Sequence, residues 1–171
     1  MLYNEIMLND IKDHLLAFKE TLAVAESVTS GHLQAAFSVA KEAMNFFQGG
    51  ITTYNLGQKC RHLSIEPIRA EKCDCISEEV ARQMALKSTE LFLSNFGIGI
   101  TGYATKVPEK EVDVLFAYFA IAYNKEIIHS GKIISKKENS VEVQVDYSNQ
   151  VIEILFQLLH KRSLEMMISD D

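Results

Sequence analysis

The amino-acid sequence predicts a three-layer α/β/α fold with a mixed, mostly parallel sheet that includes an antiparallel hairpin. Three observations lead to this fold class. Buried-strand patterns alternate with amphipathic helix patterns as far as Gly102, as in parallel βαβ units. An apolar hairpin pattern follows and would add antiparallel strands to the sheet. The length of 171 residues suits one domain with a single hydrophobic core.

The chain before residue 64 alternates between helix and strand patterns. Helices are predicted where apolar residues recur at helical spacing, and strands where short apolar or β-branched runs end in polar turns or glycines. The predicted elements are a helix over 3–20, a strand over 21–25, a helix over 32–40 capped by Thr29 or Ser30, a strand over 46–54 and a short helix that carries Lys59. This order places Ser27 in a polar turn just before a helix N-terminus.

The rest of the chain adds a helix, a strand, a hairpin and a final helix. Ser77 caps the clearest helix pattern in the sequence. The two apolar runs of the hairpin are joined by Asn124-Lys125, which is a length typical of a tight turn. The predicted elements are a helix from Ser77 to a stop signal at 95–97, a strand over 98–102, hairpin strands over 113–123 and 126–135, and a helix over about 141–164.

Composition and charge exclude several classes of protein. A hydrophobic fraction of 47% with only 2 prolines and 8 glycines is typical of a folded chain. The net charge of −6 opposes a nucleic-acid partner, which would require clustered Lys and Arg. Charged residues interrupt the first 20 positions, so we expect neither a signal peptide nor a membrane partner, and we expect a cytoplasmic location. We predict one domain over 1–165 and a flexible acidic tail over 166–171.

The three cysteines are predicted to be free thiols, because their odd number does not suit a disulfide framework. A zinc site is the alternative, with Cys60-x-His62 and Cys73-x-Cys75 as four possible ligands. Structural zinc sites usually space their cysteines by two to four residues, so the sequence favours no metal.

Polar side chains gather where the predicted parallel strands end, which is where open α/β sheets bind ligands. They are Glu26, Ser27, Thr29, Tyr54, Asn55, Lys59 and Thr101. A serine in front of a helix N-terminus is a possible nucleophile, and a partly desolvated lysine is one of the known ways to activate it. On spacing alone, helix caps and solvated charges remain the more common explanation of such residues.

Four ordered sequence blocks favour the catalytic interpretation. They are Ala25-Glu26-Ser27-x-Thr29-x-Gly31, Phe47-x-Gly49-Gly50-Ile51-x-x-Tyr54-Asn55 followed by Lys59, Ser77-Glu78-Glu79-Val80-Ala81, and Ile100-Thr101-Gly102. In order and spacing the sequence resembles the CinA C-terminal domain family from about residue 4 to residue 160. We expect a stand-alone version of that domain.

The resemblance implies a function, because the family includes PncC-type amidohydrolases that convert nicotinamide mononucleotide and water to nicotinate mononucleotide and ammonia. By position, Ser27 resembles the nucleophile of the family and Lys59 its activating base. Glu26, Thr29, Tyr54 and Thr101 would support the pair or contact a small-molecule nucleotide substrate, with no cofactor. The alternatives are that Glu26 caps a helix or pairs with Lys59 and that Tyr54 packs at the end of the sheet.

Departures from the family pattern leave a second function open. Val28 and Ser30 stand where the family usually has Cys and Gly, the glycine-rich loop is replaced by 103–108, and the stretch 138–143 lacks an arginine. The alternative function is a catalytically impaired CinA-like module that binds a nucleotide or a protein.

Two further expectations concern assembly and the geometry of the site. The apolar hairpin and the long last helix supply surplus apolar surface, so we predict a homo-oligomer. If Ser27 is activated by Lys59, the amine should lie roughly 2.6–3.2 Å from the hydroxyl.

Overall fold

A computed structural model describes residues 2–169 of the chain. These residues form five strands and six α-helices. In chain order they are α1 (Glu5–Ala17), β1 (Leu22–Glu26), α2 (His32–Ser38), β2 (Phe47–Thr52), α3 (Leu56–Leu63), α4 (Pro67–Lys72), α5 (Glu78–Phe92), β3 (Phe96–Gly102), β4 (Leu115–Tyr123), β5 (Glu126–Ser135) and α6 (Ser140–Ser169). Short 3₁₀ turns lie at Ala43–Asn45 and Pro108–Lys110.

The five strands form one mixed sheet in the order β2-β1-β3-β4-β5. β1 pairs in parallel with both β2 and β3, and the hairpin β4–β5 continues the sheet in antiparallel fashion. Only β4 therefore runs against the other strands. The carboxyl ends of β1, β2 and β3 lie at the same edge of the sheet, which is where the fold can build a site.

Helices cover both faces of this sheet, so the predicted three-layer α/β/α class is confirmed. On one face, α1, α2 and α6 pack against apolar strand residues such as Val24 and Ile98. On the other face, α3, α4 and α5 pack around Ala25 and Ile51. The alternation of side chains along β1 explains this division, because neighbouring residues point to opposite faces and all are buried.

The hairpin turn has the conformation that its sequence favours. Asn124 and Lys125 have φ values of 48° and 69°. Two left-handed residues in succession are typical of a type I′ turn, whose twist matches that of the flanking strands. The predicted hairpin is therefore confirmed in both its position and its turn.

Among the predicted helix boundaries, the cap of α2 and the stop of α5 are wrong. α2 is capped by neither Thr29 nor Ser30, because Gly31 is the N-cap residue and the Glu26 carboxylate binds the free N–H groups. The predicted stop of α5 at 95–97 lies too late. The helix ends at Leu93, which takes a left-handed φ of 51°, and residue 96 already begins β3.

The C-terminal helix extends past the predicted domain boundary. α6 continues through Ser169, whereas the predicted domain ends at residue 165 and the predicted flexible acidic tail covers 166–171. Of that tail, residues 170 and 171 lie outside the described residues. Over 2–169, no helix has both the length and the apolar character that a bilayer crossing requires.

Close packing of α5 on β3 depends on Gly99. A Cβ at this position would lie 2.2 Å from the Ala81 carbonyl oxygen and 2.5 Å from the Ala85 nitrogen. Gly99→Ala is therefore expected to lower the free energy of unfolding by about 1–3 kcal/mol, as measured by urea denaturation. Gly57→Ala is the control, because its Cβ would make one ordinary contact at 3.5 Å and alanine favours a helix. Equal stability of the two variants would contradict this packing.

Candidate active site

An open cleft lies beyond the carboxyl ends of β1, β2 and β3. Its volume is about 490 Å³, which falls in the range of small-molecule sites. Its floor is formed by Ser27, Lys59 and Thr101. Other lining residues come from the start of α3, the loop after α4, the loop after β3 and the N-terminus of α6: Tyr54, Asn55, Asp74, Cys75, Tyr103, Ser140 and Gln144.

Ser27 and Lys59 meet at the floor of the cleft. Ser27 follows β1 directly, and its N–H donates to the Ile100 carbonyl of β3 at 3.1 Å, which fixes the start of the turn. Lys59 lies in α3, the helix that follows the neighbouring strand β2, and is only 1% exposed. The Lys59 Nζ lies 2.8 Å from the Ser27 Oγ, so the expected contact is confirmed. Because β1 and β2 are parallel neighbours, their carboxyl ends bring the two residues together.

The environment of Lys59 favours the neutral amine. Burial lowers the pKa of the amine below its ordinary value, and the nearby Cys75 and Asp74 oppose this shift only in part. No carboxylate of the described chain lies within ion-pair distance of Lys59. The Thr53 carbonyl accepts a second hydrogen bond from Nζ at 2.8 Å and so fixes the amine's position. A neutral amine held in this way can accept the proton of a serine hydroxyl.

Glu26 caps α2 with its carboxylate, and the Thr29 hydroxyl holds that carboxylate in place. The Glu26 side chain is fully buried, and its carboxylate accepts hydrogen bonds from the Leu33 and Gln34 N–H groups of α2 at 3.0 and 2.9 Å. It also accepts from the Thr29 hydroxyl at 2.6 Å and from the Gly31 N–H at 3.1 Å. Neither residue is among those that line the cleft, so of their two expected roles the structure shows support of the Ser27 turn, and contact with a substrate stays a prediction. Of the alternatives for Glu26, the structure shows the helix cap and not the ion pair with Lys59.

The turn after Ser27 leaves two backbone donors free beside the nucleophile. Among the described residues, the N–H groups of Val28 and Thr29 donate to no other group. Ser30 and Gly31 then reverse the chain with φ values of 51° and 101°. Ser30 thus adopts the left-handed conformation that glycine favours, so the turn forms without a glycine at this position. Because Val28 lines the cleft, its free N–H group is a suitable partner for an oxyanion.

Thr101 lies deep in the cleft, and Tyr54 lies at its rim. Thr101 is 1% exposed, and its hydroxyl donates to the Cys75 carbonyl at 2.9 Å, which holds the loop after α4 against the end of β3. The oxygen of this hydroxyl keeps its capacity to accept a hydrogen bond. Tyr54 is 71% exposed at the rim. The structure therefore places both residues in the cleft, with Tyr54 accessible to a ligand and Thr101 close to the Ser27 turn.

Several lining residues were not predicted from the sequence. Asp74 joins the two loops at the cleft mouth, because it accepts hydrogen bonds from Tyr103 at 3.3 Å and from Lys110. Ser140 and Gln144 reach the cleft from the start of α6. Nothing local in the sequence marks these positions, since their place in the cleft depends on tertiary packing.

The cysteines are near the site but form no disulfide. Cys60, Cys73 and Cys75 are all free thiols. Burial raises the pKa of the Cys75 thiol, which favours its neutral form. Within residues 2–169, no group of three or more His, Cys, Asp and Glu side chains is placed to hold a metal ion.

Comparison with known proteins establishes the family. The protein-family model of the CinA C-terminal domain matches residues 4–159. This match covers most of the chain, which therefore belongs to the CinA C-terminal domain family. The resemblance seen in the four sequence blocks is thereby confirmed.

Individual relatives agree with this assignment. A CinA-like protein of Prochlorococcus marinus (strain MIT 9515) is 34% identical over 143 residues, which make up 82% of this chain and 33% of that protein. A CinA-like protein of Picosynechococcus sp. is 42% identical over 94 residues, which make up 55% of this chain and 22% of that protein. The chain thus spans a third or less of the length of these relatives.

Solved structures share the fold. A CinA superfamily protein of Klebsiella pneumoniae superposes with a TM-score of 0.85 at 20% identity, covering 92% of this chain and 98% of that chain. A CinA superfamily protein of Escherichia coli superposes with a TM-score of 0.83 at 24% identity, covering 90% of this chain and 89% of that chain. The α/β architecture described above is therefore that of the CinA superfamily.

Proposed function

We propose that the protein is an amidohydrolase that deamidates a pyridine nucleotide, converting nicotinamide mononucleotide and water to nicotinate mononucleotide and ammonia. The observation that carries this proposal is the 2.8 Å contact between a buried lysine amine and a serine hydroxyl at the floor of an open cleft. Membership of the CinA C-terminal domain family supports the choice of substrate, since the family includes enzymes with this activity.

The first half of the proposed reaction forms an ester on Ser27. Lys59 takes the hydroxyl proton as the Ser27 Oγ attacks the carboxamide carbon, and a tetrahedral oxyanion results. The free N–H group of Val28, a residue that lines the cleft, is the donor available to this oxyanion. Lys59 then gives its proton to the leaving nitrogen, the C–N bond breaks, and ammonia departs.

The second half of the proposed reaction regenerates the serine. Lys59 is neutral again after it has protonated the leaving amide nitrogen, so it can remove a proton from a water molecule that attacks the ester carbon. Collapse of the second tetrahedral intermediate breaks the bond to Ser27 Oγ, which recovers the proton from Lys59. The acid product leaves, and no redox or metal step is needed to balance this sequence.

Turnover of nicotinamide mononucleotide by the purified chain tests the proposal. We expect ammonia and nicotinate mononucleotide in equal amounts, each quantified after subtraction of the background formed by Ser27→Ala. Calorimetric binding of the nucleotide without either product would overturn the proposal and favour the alternative, a catalytically impaired module that binds a nucleotide or a protein.

One feature of the cleft favours this alternative as the second candidate. Apart from Lys59, the charged residues that line the cleft are the carboxylates Glu71 and Asp74. Lys110 contacts Asp74, and no arginine within residues 2–169 lines the cleft. A phosphate therefore lacks a bidentate cationic partner among the lining side chains. The turnover experiment decides between the two functions.

The rate of ammonia release is expected to depend on pH through Lys59. Only the neutral amine can act as the base, so the rate should rise as the pH passes upward through the pKa of Lys59. Because burial lowers this pKa, the midpoint should lie below the ordinary value of 10.5. A profile of kcat/KM against pH measures the midpoint. A rate that stays constant or falls over the same interval would contradict Lys59 as the base.

Self-association stays a prediction from the distribution of apolar residues. Val114, Ile134 and Val141 are each more than half exposed, at 57%, 52% and 54%. Paired copies would remove such residues from water. Light scattering at micromolar concentration should give a multiple of 19.3 kDa, and a mass equal to that of one chain would contradict the prediction.

A cytoplasmic location and the exclusion of nucleic-acid and membrane partners likewise stay predictions.

A further inference from the structure

Thr53 carries a buried hydroxyl with no hydrogen-bond partner. The residue is 1% exposed, and its Oγ1 is one of two buried side-chain polar atoms in the described chain that lack a partner. Its backbone is satisfied, since the N–H donates to the Glu26 carbonyl and the carbonyl accepts from Lys59. A buried hydroxyl without a partner costs about 1–3 kcal/mol, so such groups in native proteins usually bind water or a neighbouring side chain.

The position of this hydroxyl relates it to the amine of Lys59. Thr53 follows β2, where Ile51 packs on the α3 side of the sheet and Thr52 contacts Gln34 on the opposite side. Alternation of side chains therefore directs Thr53 toward α3, the helix that carries Lys59. The carbonyl oxygen of the same residue lies 2.8 Å from Nζ. Because the hydroxyl and this carbonyl belong to one residue, a single bridging water has the reach to join the hydroxyl to the amine.

The amine nitrogen requires a partner in one further direction. Its four tetrahedral directions include Cε, the Thr53 carbonyl oxygen and the Ser27 Oγ. A neutral amine has two N–H groups and one lone pair, and the lone pair must point to Ser27 if the amine is to act as a base. Without an acceptor in the fourth direction, an N–H can point to Ser27 instead, and the hydroxyl is not activated.

We propose that Thr53 is a positioning residue for the Ser27–Lys59 pair: its hydroxyl, joined to the amine through one buried water, accepts the N–H in the fourth direction. The lone pair of the neutral amine is then directed to Ser27. Thr53 thus supplies both acceptors of the amine, one from its backbone and one from its side chain. This inference rests on the proposed amidohydrolase function.

No other described side chain takes this place. Asp74 and Cys75 affect Lys59 through charge, but the amine donates a hydrogen bond to neither. Glu71 of α4 lies exposed on the cleft wall. Glu26 of β1 is turned toward α2.

Thr53→Val removes the hydroxyl and keeps the shape of the side chain. We expect the plateau rate of ammonia release to fall at least ~10-fold. We also expect a lower pKa of Lys59, because an acceptor of its charged form is lost. The pKa is read from the ¹³Cε resonance of labelled lysine, assigned by its absence in Lys59→Met.

Thr53→Ser should restore both quantities, and Thr53→Ala should repeat the loss in a smaller side chain. Thr52→Val, which removes a hydroxyl outside the cleft, should change neither quantity.

The two measurements separate this inference from the proposed function. If Thr53→Val leaves both the Lys59 titration and the plateau rate unchanged, the hydroxyl is only a buried polar group and the inference is overturned. If the wild-type chain releases no ammonia but Thr53→Val still lowers the Lys59 pKa, the proposed function fails and the hydrogen bond from Thr53 stands.

Discussion

Replacing Lys59 with methionine is expected to lower the rate of ammonia release by about 10²–10⁴-fold, which is the usual contribution of a general base. Methionine has a similar length and no amine, so Ser27 loses the group that lies 2.8 Å from its hydroxyl. Lys136→Met is the control, because Lys136 is exposed after β5 and does not line the cleft. Retention of the wild-type rate by Lys59→Met would remove the lysine from the mechanism.

The same variant should change how stability depends on pH. Burial lowers the pKa of Lys59 in the folded state, so the unfolded chain binds more protons between this lowered pKa and about 10.4. The free energy of unfolding contributed by Lys59 therefore rises with pH across that interval. Lys59→Met lacks this contribution, and urea denaturation at several pH values measures the difference. An identical pH dependence in both proteins would show that the amine is not desolvated.

Replacing Glu26 with alanine is expected to lower the free energy of unfolding by about 3–5 kcal/mol, since four donors lose a fully buried charged acceptor. Glu26→Gln keeps one acceptor oxygen and should lose less. Glu138→Ala is the control, because that glutamate is exposed and its loss should change stability by no more than about 0.5 kcal/mol. Urea denaturation measures all three variants. A loss below about 1 kcal/mol for Glu26→Ala would contradict the capping role.

The helix cap also explains why the Ser27 turn has its shape. The Glu26 carboxylate fixes the start of α2, and the Ser27 N–H fixes the end of β1. Between these two anchors, the chain passes through Ser27 to Gly31 in a conformation that leaves the serine hydroxyl facing Lys59. Glu26 therefore acts on the site through the backbone, although its side chain does not reach the cleft.

The sequence could predict the Ser27–Lys59 contact because each step depends on local patterns. Apolar runs locate β1 and β2, and parallel neighbouring strands bring their carboxyl ends together. The hairpin was predictable for the same reason, since the Asn124-Lys125 turn is local. Family resemblance then singled out Ser27 and Lys59 among the polar residues at the strand ends.

Other features were not predictable because they depend on packing between distant segments. The six-residue helix α4 is too short for a clear apolar period, so the approach of Cys75 to Lys59 was missed. α5 ends at Leu93, which adopts a left-handed conformation. The sequence pattern predicts a later end, because the glycine that usually takes this conformation stands a few residues further on. The role of Thr53 could not be predicted either, because it depends on a tertiary contact between the Thr53 carbonyl and the Lys59 amine.

Ammonia release by Ser27→Ala tests the central claim most directly, because this change removes only the attacking oxygen. Ser148→Ala is the matched control, since it removes another buried serine hydroxyl that bonds within α6 and lies outside the cleft. With nicotinamide mononucleotide as substrate, we expect Ser27→Ala to retain the folded structure and to lose about 10³-fold or more of the rate, while Ser148→Ala keeps the wild-type rate. Undiminished ammonia release by a folded Ser27→Ala variant would contradict Ser27 as the nucleophile.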